Sequence, residues 1–144
     1  MANWFECKVK YEKLQENGAA KKVNEPYLVD ALSFTEAESR ITEEQRPYIS
    51  GEFTVSAIKP TKIAEIFWDE SGDRWYLVKV AFITIDEKTA AEKRSISQIL
   101  VQAANFKHAL ENFEQGMKGT MADYEIVQIN ETPIMDVYKM KVKE

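Results

Sequence analysis

The chain has 144 residues, 44% hydrophobic and 30% charged, enough for one domain with a real core or two small fused halves. A formal net charge of −5 counts against a protein that coats DNA by bulk positive charge, although the charge on one face matters more than the sum. One cysteine excludes an intramolecular disulfide, the apolar runs are too short to span a bilayer, and the first residues lack the apolar core of a signal peptide. A cytoplasmic protein with no membrane association is the expectation.

Residues 4–12 alternate, with Phe5, Cys7, Val9 and Tyr11 on one face and Trp4, Glu6, Lys8 and Lys10 on the other. Period two with aromatic and β-branched content predicts a half-buried strand. Asn17-Gly18 marks a turn. A second strand follows over roughly 21–30, where Pro26 suggests an edge position or a bulge. Ser33 and Glu36 fit a capping box. The helix it opens should run over about 34–45, burying Phe34, Ala37 and Ile41, and Arg46-Pro47 stops it. Strands near 52–59 and 61–69 are expected to join through a tight turn at Lys59-Pro60, and Glu70-Ser71-Gly72-Asp73 is a turn and a candidate boundary.

The second half repeats this plan. A long strand covers 74–86, a hairpin loop 87–92 and a strand 93–102. Asn105 takes the N-cap of a helix running to about Gly116, and 124–130 with 132–140 form a closing strand pair. Trp4, Lys8 and Val9 match Trp75, Lys79 and Val80. With a shift of 72, Leu28, Val29, Ala31, Phe34 and Ala37 match Leu100, Val101, Ala103, Phe106 and Ala109, and the N-caps Ser33 and Asn105 coincide. With a shift of 71, Thr61 and Ile63 match Thr132 and Ile134. Three blocks in order predict a duplicated ββαββ unit, repeat one over about 3–70 and repeat two over about 74–140.

The fold class is therefore α+β, in the order ββ-α-ββββ-α-ββ, with antiparallel sheets each covered by a helix. Residues 52–118 would form four antiparallel strands followed by a helix. If the last two strands join the first two, residues 1–144 make a single pseudo-twofold domain with neighbouring termini. The rival arrangement is two separate ββαββ sheets.

Several stretches carry a family resemblance: Trp4-Phe5-Glu6-Cys7-Lys8-Val9, the run from Glu25-Pro26-Tyr27 to Thr35-Glu36-Ala37, Tyr48-Ile49-Ser50-Gly51-Glu52-Phe53, and Gly116-Met117-Lys118-Gly119 continuing to Asp123-Tyr124. Together the chain resembles a domain-of-unknown-function family, number 4494, found in gut Bacteroidetes and their phages. The resemblance implies a cytoplasmic bacterial or phage protein and transfers no activity. The architecture is also similar to Whirly, Pur-alpha and the positive-cofactor coactivators, which bind single-stranded nucleic acid across curved sheets. No residue motif is shared with them, and fold alone does not fix function.

No catalytic constellation is present in the sequence. His108, the only histidine, sits early in the second helix opposite Glu36 and reads as a solvated position. Cys7 aligns with Val78 and reads as a packed small hydrophobe. No Cys/His cluster has metal-ligand spacing and no glycine-rich loop could cradle a phosphate. A non-enzyme without cofactor or metal is the expectation.

The candidate interface is the outward face of the matched strands. Each repeat sets a Trp and a Lys on one surface: Trp4 with Lys8 and Lys10, and Trp75 with Lys79. Neighbouring strands add Lys21 and Lys22, and Lys93 and Arg94. Aromatic platforms interleaved with cations suit unpaired bases and phosphates. Core packing of the Trp pair and edge protection by Lys are the ordinary readings of the same residues. The expected function is a non-enzymatic module binding single-stranded nucleic acid in replication or repair accessory work. A protein–protein module is the alternative, and homodimerisation through the sheets fits both.

Overall fold

The computed structural model describes residues 3–140. Ten elements follow in order: β1 (Asn3–Leu14), β2 (Ala20–Ala31), α1 (Phe34–Gln45), β3 (Phe53–Pro60), β4 (Ile63–Phe67), β5 (Arg74–Ile85), β6 (Glu92–Ala103), α2 (Phe106–Gly116), β7 (Asp123–Glu131) and β8 (Val137–Tyr138). They form two compact units, one of residues 3–61 with 133–140 and the other of residues 62–132.

Unit 1 holds a sheet in the order β3-β1-β2-β8, and unit 2 a sheet in the order β4-β6-β5-β7. The class is α+β with the duplicated plan. Two expectations about strand partners need correction. β3 and β4 do not pair as a hairpin, and neither do β7 and β8. Each pair is split between the units, so residues 52–118 do not form one sheet. The sheets are also not purely antiparallel, because β8 runs parallel to β2 and β4 parallel to β6.

Linker length explains the split. To return to its own repeat, β4 would have to reach the open side of β2, three strand spacings from β3, or about 14 Å along the sheet. Pro60 and Ile63 are three residue steps apart, which spans at most about 11 Å. The chain therefore leaves unit 1 after Thr61, and β4 fills the open edge of β6 in unit 2. With that edge taken, β8 fills the matching edge of β2 in unit 1.

The duplication extends to register. β1 pairs with β3 from Phe5↔Pro60 to Tyr11↔Phe53, with an irregularity between Lys8 and Val9. β5 pairs with β7 from Tyr76↔Glu131 to Phe82↔Tyr124, with the irregularity at the matched place, between Lys79 and Val80. Leu28↔Val137 and Val29↔Tyr138 in unit 1 correspond to Leu100↔Ile66 and Val101↔Phe67 in unit 2. Pro26 lies in an inner strand, and it sits just before the first β8 ladder pair at Leu28, where its carbonyl accepts from the Met135 amide at 2.9 Å and no β8 ladder pair calls on its missing N–H.

Each unit buries its inward strand face under its helix. In unit 1 Phe5, Cys7, Val9, Tyr27 and Val29 meet Ala37 and Ile41 of α1. Phe34, expected in this core, is exposed at the helix start, where its ring edge meets Phe5. In unit 2 Val78, Val80, Ile99 and Val101 pack with Phe113 and Met117. Both N-caps form as expected: Ser33 Oγ accepts from the Glu36 amide at 3.1 Å, and Asn105 Oδ1 from the His108 amide at 2.9 Å.

Candidate nucleic-acid interface

Directly opposed residues in an antiparallel pair share a face. In β1–β2, Lys22 lies opposite Glu12, and Lys21 opposite Lys13. Trp4, Lys8, Lys10 and Lys22 therefore share one face, and Lys21 is on the other, which α1 covers further along. In β5–β6, Arg94 lies opposite Ile83 and Lys93 opposite Thr84. Arg94 thus joins Trp75 and Lys79, and Lys93 does not. Register keeps the surface expected in each repeat, Trp4 with Lys8, Lys10 and Lys22 and Trp75 with Lys79 and Arg94, and removes Lys21 and Lys93 from it.

Exposure corrects it further. Trp75 is only 2% exposed, with the edge of the Trp68 ring set against it at 5.5 Å, so it cannot stack on a base. Trp4, Lys8 and Lys79 are half-buried, whereas Lys10, Lys21, Lys22, Lys93 and Arg94 are exposed. Arg94 is held in a 2.9 Å ion pair with Glu125, which offsets part of its charge.

Unit 1 keeps the better-formed surface. From Lys8 to Lys22 its hairpin carries five lysines against two glutamates, in a chain of net −5. The matched stretch of unit 2, Lys79 to Arg94, carries four basic residues against three acidic ones. Beside the unit 1 hairpin lies an open groove of about 740 Å³ whose lining includes Lys10, Tyr11, Lys22 and Phe53, together with Glu12 and Glu52. Tyr11 and Phe53 are directly opposed across β1 and β3. The Tyr11 hydroxyl donates to Glu25 Oε1 at 2.6 Å, and burial, then Glu25, pushes its phenol up to about 12. The ring therefore stays neutral at physiological pH. Neither aromatic belonged to the expected site. Their signal was the local lysine density of the hairpin, together with a Phe one strand away.

A second polar cluster involves His108. The Ala104 amide donates to Nδ1 at 2.9 Å, and Nε2 lies 3.0 Å from Asp69 Oδ2. With Nδ1 accepting, the neutral ring carries its proton on Nε2 and donates it to Asp69. The histidine is thus a bonded residue, rather than the solvated one expected. Asn112 donates to Asp69 Oδ2 and to the Gln102 carbonyl, and the Asp69 amide donates to Gln102 Oε1. Unit 1 repeats the arrangement with other residues. The Met140 amide donates to Asp30 Oδ1, while Arg40 donates to the Asp30 carbonyl and carboxylate. Both clusters fasten the end of an incoming edge strand, so a structural latch accounts for them.

Cys7 is fully buried, and burial, then Glu6, pushes its thiol up to about 12, which suits packing rather than nucleophilic chemistry. Among the described residues no group of three or more His, Cys, Asp or Glu could hold a metal ion, and no helix is long and apolar enough to cross a membrane.

The distinctive stretches quoted above fall on β1, β2 with the start of α1, and the loops before β3 and β7, and the family match covers residues 3–140, described as Domain of unknown function (DUF4494). The chain belongs to that family. No curated protein and no solved structure matches it. DUF4494 membership identifies the chain and leaves the role of the hairpin to be argued from its chemistry.

Proposed function

We propose that the protein is a non-enzymatic module that binds single-stranded nucleic acid along the β1–β2 hairpin of unit 1. The observation that supports this reading is the concentration of lysine beside the Tyr11–Phe53 groove in an otherwise acidic chain. Lys8, Lys10 and Lys22 contact phosphates from one strand face, and the half-buried Tyr11 and Phe53, on the opposite strand face, offer the exposed parts of their rings to unpaired bases at the groove. Lys13 and Lys21 add charge from the other side of the same hairpin. Accessory work in replication or repair, in a phage or its bacterial host, suits such a module.

The test is anisotropy of a labelled oligothymidylate titrated with protein at several salt concentrations. Three phosphate contacts on a single strand give a log–log salt slope of roughly −2. Lys10→Glu with Lys22→Glu abolishes binding, and Lys93→Glu leaves it unchanged. No binding at low salt, or binding indifferent to the double reversal, rejects the reading.

A second reading, a protein-interaction module, draws on one asymmetry. Ile85, Ile96 and Val127 are exposed in unit 2, and Ile83 is half-buried. Three of the matched residues in unit 1 are polar, Asn24, Ser56 and Glu12, and only Leu14, the match of Ile85, is apolar, so the fold itself does not require apolar groups at positions 83, 96 and 127. Absence of oligonucleotide binding would favour this reading.

A further inference from the structure

The open edge of β2 is filled by a segment from far along the chain. β8 reaches it from β7 through residues 132–136. Its hold is short: two register pairs, Leu28↔Val137 and Val29↔Tyr138. The Leu28 amide donates to the Asp136 carbonyl at 3.1 Å, and the Met135 amide to the Pro26 carbonyl at 2.9 Å. Tyr138 stacks on Tyr27 with ring centres 5.9 Å apart, and its hydroxyl accepts from Gln45 Nε2 at 3.1 Å. Gln45 is itself only 2% exposed.

The matched edge in unit 2 is held differently. β4 makes four register pairs with β6. Phe67 stands where unit 1 has Tyr138, and Met117 where unit 1 has Gln45. Gly116 clears the space above the Phe67 ring, because a Cβ there would come within 2.5 Å of it. Unit 1 has Glu44 at that position. The unit 2 seat is thus longer and apolar, and the unit 1 seat is shorter and relies on a buried amide meeting a phenol. Linker length keeps the chain's own β4 from the unit 1 seat, β8 fills it, and nothing in the seat distinguishes one copy's β8 from another's.

We propose that the β2–α1 seat of unit 1 is a strand-accepting site, and that its partner is a second copy of this chain donating residues 134–140 in reciprocal exchange. Every contact in the exchanged form repeats one already made within the chain, so the balance is set by concentration against the effective concentration of the tethered strand. Dilute protein keeps its own β8 and concentrated protein exchanges it. The exchange is independent of the oligonucleotide reading, since the hairpin of β1–β2 is untouched.

The test uses two full-length variants in a Cys7→Val background, valine being the residue at the matched position 78. One carries Leu28→Cys and the other Val137→Cys. Neither alone can form the 28–137 disulfide, and opposed positions in adjacent strands lie within bridging distance. After incubation together and mild oxidation, exchange yields a covalent heterodimer that increases roughly in proportion to concentration. A single chain carrying both cysteines must oxidise to a monomer, which shows that the bond can form. Light scattering on the unmodified chain gives a second readout, in which the dimer fraction rises with concentration. A single-chain mass throughout, or a dimer without the 28–137 bond when the one-chain control oxidises, overturns the proposal. Should Leu28→Cys fail to fold, the same mixing with Val29→Cys and Tyr138→Cys decides between the same outcomes.

Discussion

Thr132 donates both its amide, at 2.8 Å, and its hydroxyl, at 2.9 Å, to the carbonyl of Trp75. Thr61 makes the same two bonds to the carbonyl of Trp4, each at 2.9 Å. These are the residues at which the chain passes from one unit to the other. A clamp at each crossing fixes the end of β3 or β7 just before the exchanged strand departs. Thr→Val keeps the shape and the amide bond and removes the hydroxyl. Thr61→Val and Thr132→Val should each cost about 1 kcal/mol, and the double variant about twice that, because the two hydroxyls donate to different carbonyls. Urea unfolding checks this. Variants as stable as the parent would show that the hydroxyls do not matter.

Gly72 is required by close approach. A Cβ there would lie 2.4–2.8 Å from the backbone of Ala103, which cannot swing away as a side chain can. The Gly72 carbonyl also accepts from Gln102 Nε2 at 3.1 Å, so movement of the turn breaks a bond as well. Gly72→Ala should destabilise by about 1–3 kcal/mol. Gly51→Ala, where no atom lies within 4 Å, is the control and should be close to neutral. Thermal unfolding of both variants distinguishes this local clash from a general effect of losing glycine.

Much of this fold can be read from sequence because it is written twice. The matched caps Ser33 and Asn105 placed both helices, and α1 spans the expected 34–45. Partner choice was harder. A two-residue link between Pro60 and Ile63 resembles a hairpin turn, and only the width of the sheet shows that it cannot carry β4 home. Alternation identified which residues accompany Trp75, but period two says only that side chains share a face, and both faces of a strand can be buried. The places of Lys21 and Lys93 depended on hairpin register, which the turns set, and counting residues to the turn does not fix it. The Tyr11–Phe53 groove joins residues of β1 and β3 that only cross-strand pairing brings together.

Cys7 should be silent in the native protein. The thiol is fully buried and its pKa is pushed up to about 12, so almost no thiolate exists at pH 8. Reaction with an aromatic disulfide reagent should be undetectable in buffer and rapid in denaturant. The labelling rate in buffer then reports the opening of unit 1, and it should rise in Thr61→Val. Fast native labelling would mean that the β1 face under α1 opens readily.

Asp69 ties the acid response to the unit 2 latch. Its carboxylate accepts from the Ser71 hydroxyl at 2.6 Å and the Ser71 amide at 3.0 Å, then from Asn112, with His108 beside it. These donors, the Ser71 hydroxyl foremost, lower it from the ordinary 3.8 to about 2. A depressed carboxylate stabilises the fold fully above its unfolded value, and that contribution fades as pH falls through the folded one. The latch should therefore weaken between about pH 4 and pH 2 as Asp69 takes up a proton. Asp69→Asn cannot titrate. Its melting temperature should lie below that of the parent at neutral pH, and the gap should narrow across this window. A gap that stays constant from pH 5 to about pH 2 would show that the Asp69 charge does not hold the end of β4.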